Sequence, residues 1–204
     1  MKKRATVVIC AMILVSATTT KNPSGEWTAT NSKGGIKSYV GKSSNGNVIP
    51  TKVEMTVLAS PEKVLKAITD MNGYTAWVPY CKKSYTIQCV SDTVFYAYQR
   101  ISAPLVTDRD LAMRVNIHQI DKNNYNVLLT AVPSFVKKEK DAIRIEHFMA
   151  SYRVSALTNK TTHVEQVCEV NIGGSVPSFL IRWANRNQPH ETFENLRNQL
   201  LNNQ

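Results

Sequence analysis

The side chains able to do chemistry are thinly spread. His118, His147, His163 and His190 stand far apart, with neither the Cys-x-x-Cys nor the His-Glu-x-x-His spacing that converges donors on one ion, so no metal is expected. Gly173-Gly174-Ser175-Val176-Pro177 lacks the closing glycine of a nucleophile elbow, and Ser175 reads instead as the cap of a following helix. Gly41-Lys42-Ser43 ends like a phosphate loop, but no glycine stands five residues before Gly41 and no apolar strand feeds a helix there. No cofactor of any kind is indicated.

The informative cluster is Pro104-Leu105-Val106-Thr107-Asp108-Arg109-Asp110, which packs three charges together between two apolar strands. It fits a turn in which Asp108 and Asp110 tether the backbone with Arg109 lying along them. It equally fits a loop at the mouth of a cavity, with Leu105 and Val106 presented inward. Arg114, between Met113 and Val115, faces inward or outward. If inward, it needs a carboxylate, a water or a ligand oxygen, because an unpaired buried guanidinium is too costly.

These residues sit in a chain of 204 residues, 43% hydrophobic and 20% charged, with 8 Gly and 8 Pro. That composition excludes disorder, collagen-like repeats and a polytopic membrane protein, and the length suits a single globular domain. The formal charge of +10 owes part of its size to the N-terminus. There Lys2, Lys3 and Arg4 precede an apolar run, Ala5 to Val15, and the small residues Ser16 and Ala17. Residues 1–17 read as a secretory signal peptide, with an uncleaved anchor as the rival, leaving a domain over 18–204 that is exported, periplasmic or secreted. Cys10 lacks a lipidation context. The remaining basic residues, among them Lys82, Lys83, Lys137, Lys138, Arg182, Arg186 and Arg197, read as a solvated face, and no nucleic-acid motif accompanies them. Cys81, Cys89 and Cys168 allow at most one internal pair; a Cys81–Cys89 bridge and three separate buried thiols both fit. Asn159-Lys160-Thr161 is a glycosylation sequon, relevant only in a eukaryotic secretory pathway.

Periodicity predicts a first strand around Ile36, Tyr39 and Val40, entered from Trp27, then a half-buried strand through Val53, Met55 and Val57. Ser60-Pro61-Glu62 starts a helix that buries Val64, Leu65, Ile68 and Met71 and stops at Asn72-Gly73, with a short turn around Tyr74, Trp77 and Tyr80. A hairpin across Ser91-Asp92 follows, then strands predicted over 111–120, 125–132, 142–147, 150–157 and 163–172. Gly173-Gly174 breaks the sheet. Residues 176–203 have helical spacing, with one stripe at Val176, Leu180 and Trp183, another at Phe193, Leu196 and Leu200, and a kink expected at Pro189. The order implies an α+β fold in which a curved antiparallel sheet grips a long C-terminal helix, leaving a natural place for an apolar cavity.

Six segments in this order resemble the START domains, the lipid-transfer domains related to the steroidogenic acute regulatory protein, within the helix-grip superfamily. They are Trp27 with Gly35-Ile36-Lys37-Ser38-Tyr39; Ala59-Ser60-Pro61-Glu62-Lys63-Val64; Tyr74-Thr75-Ala76-Trp77-Val78-Pro79; Asp108-Arg109-Asp110; Ile143-Arg144-Ile145-Glu146-His147; and Gly173-Gly174-Ser175-Val176-Pro177, which runs into Trp183-Ala184-Asn185 and Leu196-Arg197. The resemblance implies a secreted, bacterial-type single-domain member, a monomer whose tunnel takes up one lipid or sterol without covalent chemistry and makes transient contact with a membrane surface. It assigns lining positions to Trp77, Tyr98, Leu105, Val106, Phe135, Phe148, Ile172, Val176, Phe179, Leu180 and Trp183. It places Arg114 where some members carry a tunnel arginine, with Glu146 as the nearest candidate partner because the preceding strand offers no carboxylate. Residues 104–108 and the start of the last helix become a lid. Two other readings compete: a cyclase- or aromatase-like enzyme using Arg114, Glu146 or His147, and an interaction domain with a filled core.

Overall fold

The computed structural model describes residues 26–43 and 48–202; the segment 1–17 read as an export signal lies outside them. The chain runs β1 (Trp27–Lys33), β2 (Ile36–Gly41), β3 (Thr51–Val57), α1 (Pro61–Thr69), a 3-10 turn (Met71–Ala76), β4 (Cys81–Ser91), β5 (Val94–Ile101), β6 (Arg109–Asp121), β7 (Asn124–Ala131), β8 (Ile143–Arg144), β9 (His147–Thr158), β10 (Thr161–Asn171) and α2 (Ser178–Asn202). The strands form one sheet in the order β1-β2-β3-β10-β9-β7-β6-β5-β4. All these neighbours are antiparallel, and the two-residue β8 pairs in parallel with β6.

Local chemistry accounts for the elements. Ser60 Oγ accepts from the Lys63 amide at 3.3 Å and Pro61 takes the first helical position, as the sequence predicts for α1. The helix ends at Thr69, earlier than Met71, because Asp70 caps the following 3-10 turn through the Gly73 amide. The single first strand expected around Ile36 is corrected to a hairpin. Gly34 and Gly35, at φ 57° and 76°, make the two-residue turn between the paired Lys33 and Ile36, a conformation that favours glycine at both positions. The expected strand over 142–147 shortens to β8.

Val53, Met55, Val57, Leu111, Met113, Val115, Val127, Leu129, Ala150, Tyr152, Val154 and Val164 turn inward, where Phe193, Leu196 and Leu200 of α2 meet them. Burial is uneven along α2. No residue from Ser178 to Pro189 is fully buried, whereas His190, Phe193, Leu196 and Leu200 are. The second half is further pinned by His190 Nε2 against the Lys33 carbonyl, by Arg197 donating to the Gly34 carbonyl and by Asn195 donating to the Trp77 carbonyl. The helix continues through Pro189. It begins at Ser178, with the Leu180 amide donating to the Pro177 carbonyl, so Ser175 lies outside it and is not its cap.

Candidate functional site

Between the first half of α2 and the sheet lies an apolar chamber of about 480 Å³, within the range of small-molecule sites. Leu105 and Val106 border it from the β5–β6 loop, Leu105 out on the rim, Phe148 and Val170 line it from β9 and β10, Ile172 and Val176 from the link between β10 and α2, and Phe179, Leu180 and Trp183 from the start of α2. A second chamber of about 180 Å³ adjoins it along Gln99, Ile101, Phe148, Val170, Ala184 and Gln188. The rim is unusually apolar: Leu105 is 89% exposed, Phe179 60% and Trp183 47%. Leu105 also carries φ 66°, a conformation costly for a branched side chain, so the loop tip is held out against its own preference.

The Asp108-Arg109-Asp110 cluster is the loop's mooring, and each charge has its own partner. Asp108 accepts from Arg100 Nε at 2.7 Å, and the same guanidinium grips Asp141 at 2.7 and 3.0 Å. Ser102 and Arg100 hold Asp108 below the usual carboxylate range, and Arg100 does the same for Asp141. Asp110 is fully buried and takes a two-pronged contact from Arg144 at 2.9 and 2.7 Å. Arg144 also binds the carbonyls of Pro133, Val136 and Lys137, and so fastens that loop to the outer side of β6. Arg109 lines the large chamber and donates to the carbonyls of Thr107, Ile172 and Gly173. It therefore clasps the end of the β5–β6 loop to the link between β10 and α2. The two aspartates bind arginines, not the backbone, which corrects the turn reading.

Other positions fall elsewhere. Gln99 and Ile101, not Tyr98, face the cavity from β5. Tyr98 lies on the opposite face, where its hydroxyl donates to Asp110 at 3.5 Å and its ring lies 5.2 Å from that of Tyr85. Burial, then Asp110, pushes this phenol up to about 12. Arg114 is exposed, across the β5–β6 ladder from Tyr96. Phe135 stacks on that same Tyr96 at 3.8 Å, outside the cavity. Trp77 is core, packed edge-on against Tyr74 at 4.7 Å. Glu146 and His147 are exposed and outside both chambers. Tyr98, Arg114, Phe135, Trp77 and Glu146 therefore leave the lining, and Arg109, Gln99, Ile101, Ile145 and Val170 join it. The alternation Ala97, Gln99, Ile101 was the signal for β5. It was masked because the cavity-facing Gln99 is polar while Tyr98, on the opposite face, is apolar and just as buried. Cys81, Cys89 and Cys168 are free thiols, so the Cys81–Cys89 bridge is absent among the described residues, and with Cys168 half-buried and Cys89 exposed the expectation of three buried thiols holds only at Cys81.

The START domain family model matches residues 6–203. The chain belongs to the START family. It is 23% identical over 174 residues to an uncharacterized protein of Pseudomonas aeruginosa, covering 84% of this chain and 85% of that one. It is also 24% identical to the bovine phosphatidylcholine transfer protein, spanning 62% of this chain and only 61% of that protein's length. Among solved structures, the STAR-related lipid transfer protein of Xanthomonas axonopodis superposes with a TM-score of 0.79 at 24% identity, covering 86% of this chain and 98% of that chain. The human StAR-related lipid transfer protein 5 gives 0.79 at 16% identity, covering 89% of each. In START terms the curved antiparallel sheet with its C-terminal helix is the helix-grip fold.

Proposed function

We propose that this START domain takes up a lipid or similar hydrophobic small molecule between its sheet and α2, shields it from water and releases it at a membrane, with no covalent chemistry. The observation that carries the reading is the apolar chamber of about 480 Å³ rimmed by exposed apolar side chains. Each methylene moved from water into it is worth about 0.8 kcal/mol, so about a dozen supply about 10 kcal/mol before the costs of ordering. The clasped β5–β6 loop and the loosely packed start of α2 form the cover. Leu105, Phe179 and Trp183, flanked by the exposed Arg182 and Arg186, suit the interface of an anionic bilayer, where aromatic rings and basic side chains are both favoured. Together with the export signal read in residues 1–17, this describes a monomeric carrier working outside the cytoplasm.

The test is native mass spectrometry of the protein purified from cells, followed by organic extraction. One lipid per chain, lost when Leu180→Glu or Trp183→Glu is introduced, is expected, together with weaker sedimentation of Trp183→Glu with anionic vesicles. A protein that arrives empty and stays empty against lipids, sterols and polyketide-like aromatics overturns the carrier reading.

A further inference from the structure

The two chambers differ in chemistry. The large one is apolar apart from Tyr80, Gln99, Arg109 and Gln188. The small one is ringed by Thr51, Tyr152, Gln166, Asn185 and Thr192, and Gln99 and Gln188 stand where the two meet. None of the residues around the small chamber is an Asp, Glu, Lys, Arg or His. Its titratable groups are neutral as well: burial pushes Cys168 up to about 12 and raises Tyr152 beyond the ordinary phenol range. The chamber is therefore uncharged, and a larger share of its lining is polar than in the large one.

Its hydrogen-bonding groups are only partly used. Gln99 is 6% exposed; its Nε2 donates to Cys81 Sγ at 3.5 Å, while its Oε1 has no partner among the described residues. Gln166 stands directly across the β9–β10 ladder from Tyr152, whose hydroxyl lies between the side chains of Gln166 and Tyr74. The Tyr74 hydroxyl in turn donates to the Ile68 carbonyl at 2.7 Å. A buried amide oxygen with spare capacity beside a tyrosine and a second amide wants a partner that both donates and accepts.

We propose that the small chamber seats the polar end of an uncharged cargo, a hydroxyl or amide group, while the apolar body extends past Ile101, Phe148, Val170 and Ala184 into the large chamber. This rests on the carrier reading above. A carboxylate or phosphate seated there would be a desolvated charge with no counter-charge. The cation that lines the large chamber, Arg109, is not in the lining of the small one, and its guanidinium already serves the Thr107, Ile172 and Gly173 carbonyls.

Three probes with one acyl chain and different heads make the test: monooleoylglycerol, oleate and oleoyl lysophosphatidate, each displacing a fluorescent lipid from the full chain at pH 7.5. The neutral glyceride is expected to bind at least tenfold more tightly than either anion. Gln99→Leu, or Gln166→Met should the first variant fail to fold, is expected to remove that margin by weakening the glyceride alone. Anions that bind as tightly as the glyceride, or a margin that survives both variants, overturn the proposal and leave the carrier reading standing. If none of the three displaces the fluorescent lipid and the protein carries no lipid from cells, the carrier reading falls and takes the proposal with it.

Discussion

Replacing Ala184 by leucine puts three more carbons into the wall shared by both chambers. Leucine is nearly as good a helix former as alanine, so α2 itself is little disturbed. If the space takes cargo, the added carbons displace about three methylenes of it; at about 0.8 kcal/mol each this is about 2.4 kcal/mol, or about fiftyfold in Kd. The same carbons gain apolar contacts in the empty protein. Allowing for the half-open wall, that is about 1.5 kcal/mol, which for a chain of this size raises Tm by about 3–6 °C. Fluorescent-lipid titration and a thermal melt of the delipidated protein read both numbers from one preparation. The reasoning fails if Tm falls while affinity holds, for then the space around Ala184 is already filled and the leucine overpacks it.

The other perturbations concern the mooring of the loop. Arg144→Met strands the fully buried Asp110 without its partner and is expected to cost about 3–5 kcal/mol in urea unfolding, most of which returns when Asp110→Leu is added. Arg109→Gln breaks the clasp between the β5–β6 loop and the link into α2. It should lower stability by about 2 kcal/mol and speed cargo exchange between vesicles; unchanged exchange would count against the clasp. Asp108 and Asp141 are held below the usual carboxylate range, so their contribution is present above about pH 4 and lost as pH falls through their lowered values. Cargo retention should therefore be flat from neutral pH down to about pH 5 and drop below about pH 4, and Arg100→Gln should remove the drop.

What was legible in the sequence follows strong local signals. The Ser60 cap, the hairpin at Ser91-Asp92, the strands over 111–120, 125–132, 150–157 and 163–172 and the apolar stripe of Val176, Leu180 and Trp183 all rest on one kind of residue in one pattern, and the structure has them there. The β1–β2 hairpin was missed because the polar run Thr28-Ala29-Thr30-Asn31-Ser32 has no alternation, even though Gly34-Gly35 was a turn signal in plain view. Tyr98 and Arg114 were assigned to the tunnel through the family resemblance, while the strand pattern itself left Arg114 open to either face; the structure exposes it between the buried Met113 and Val115. Glu146 was drawn into the lining as a partner for Arg114 and goes out of it with that residue. The use of Asp108, Arg109 and Asp110 for three separate moorings depends on partners between 8 and 64 residues away, which no local pattern reveals.

The uneven burial of α2 divides the folded state into regions of different lifetime. Residues 178–189 hold almost no core, and Pro189 lacks the amide that would have bonded the Asn185 carbonyl. Lifting that stretch therefore disturbs little beyond itself, while the stretch from His190 onward comes away only with the sheet. Backbone amides of the first stretch should exchange with heavy water by local opening and those of the second only by global unfolding. Filling and emptying are then decoupled from survival, and one molecule can trade its contents many times within a single folded lifetime.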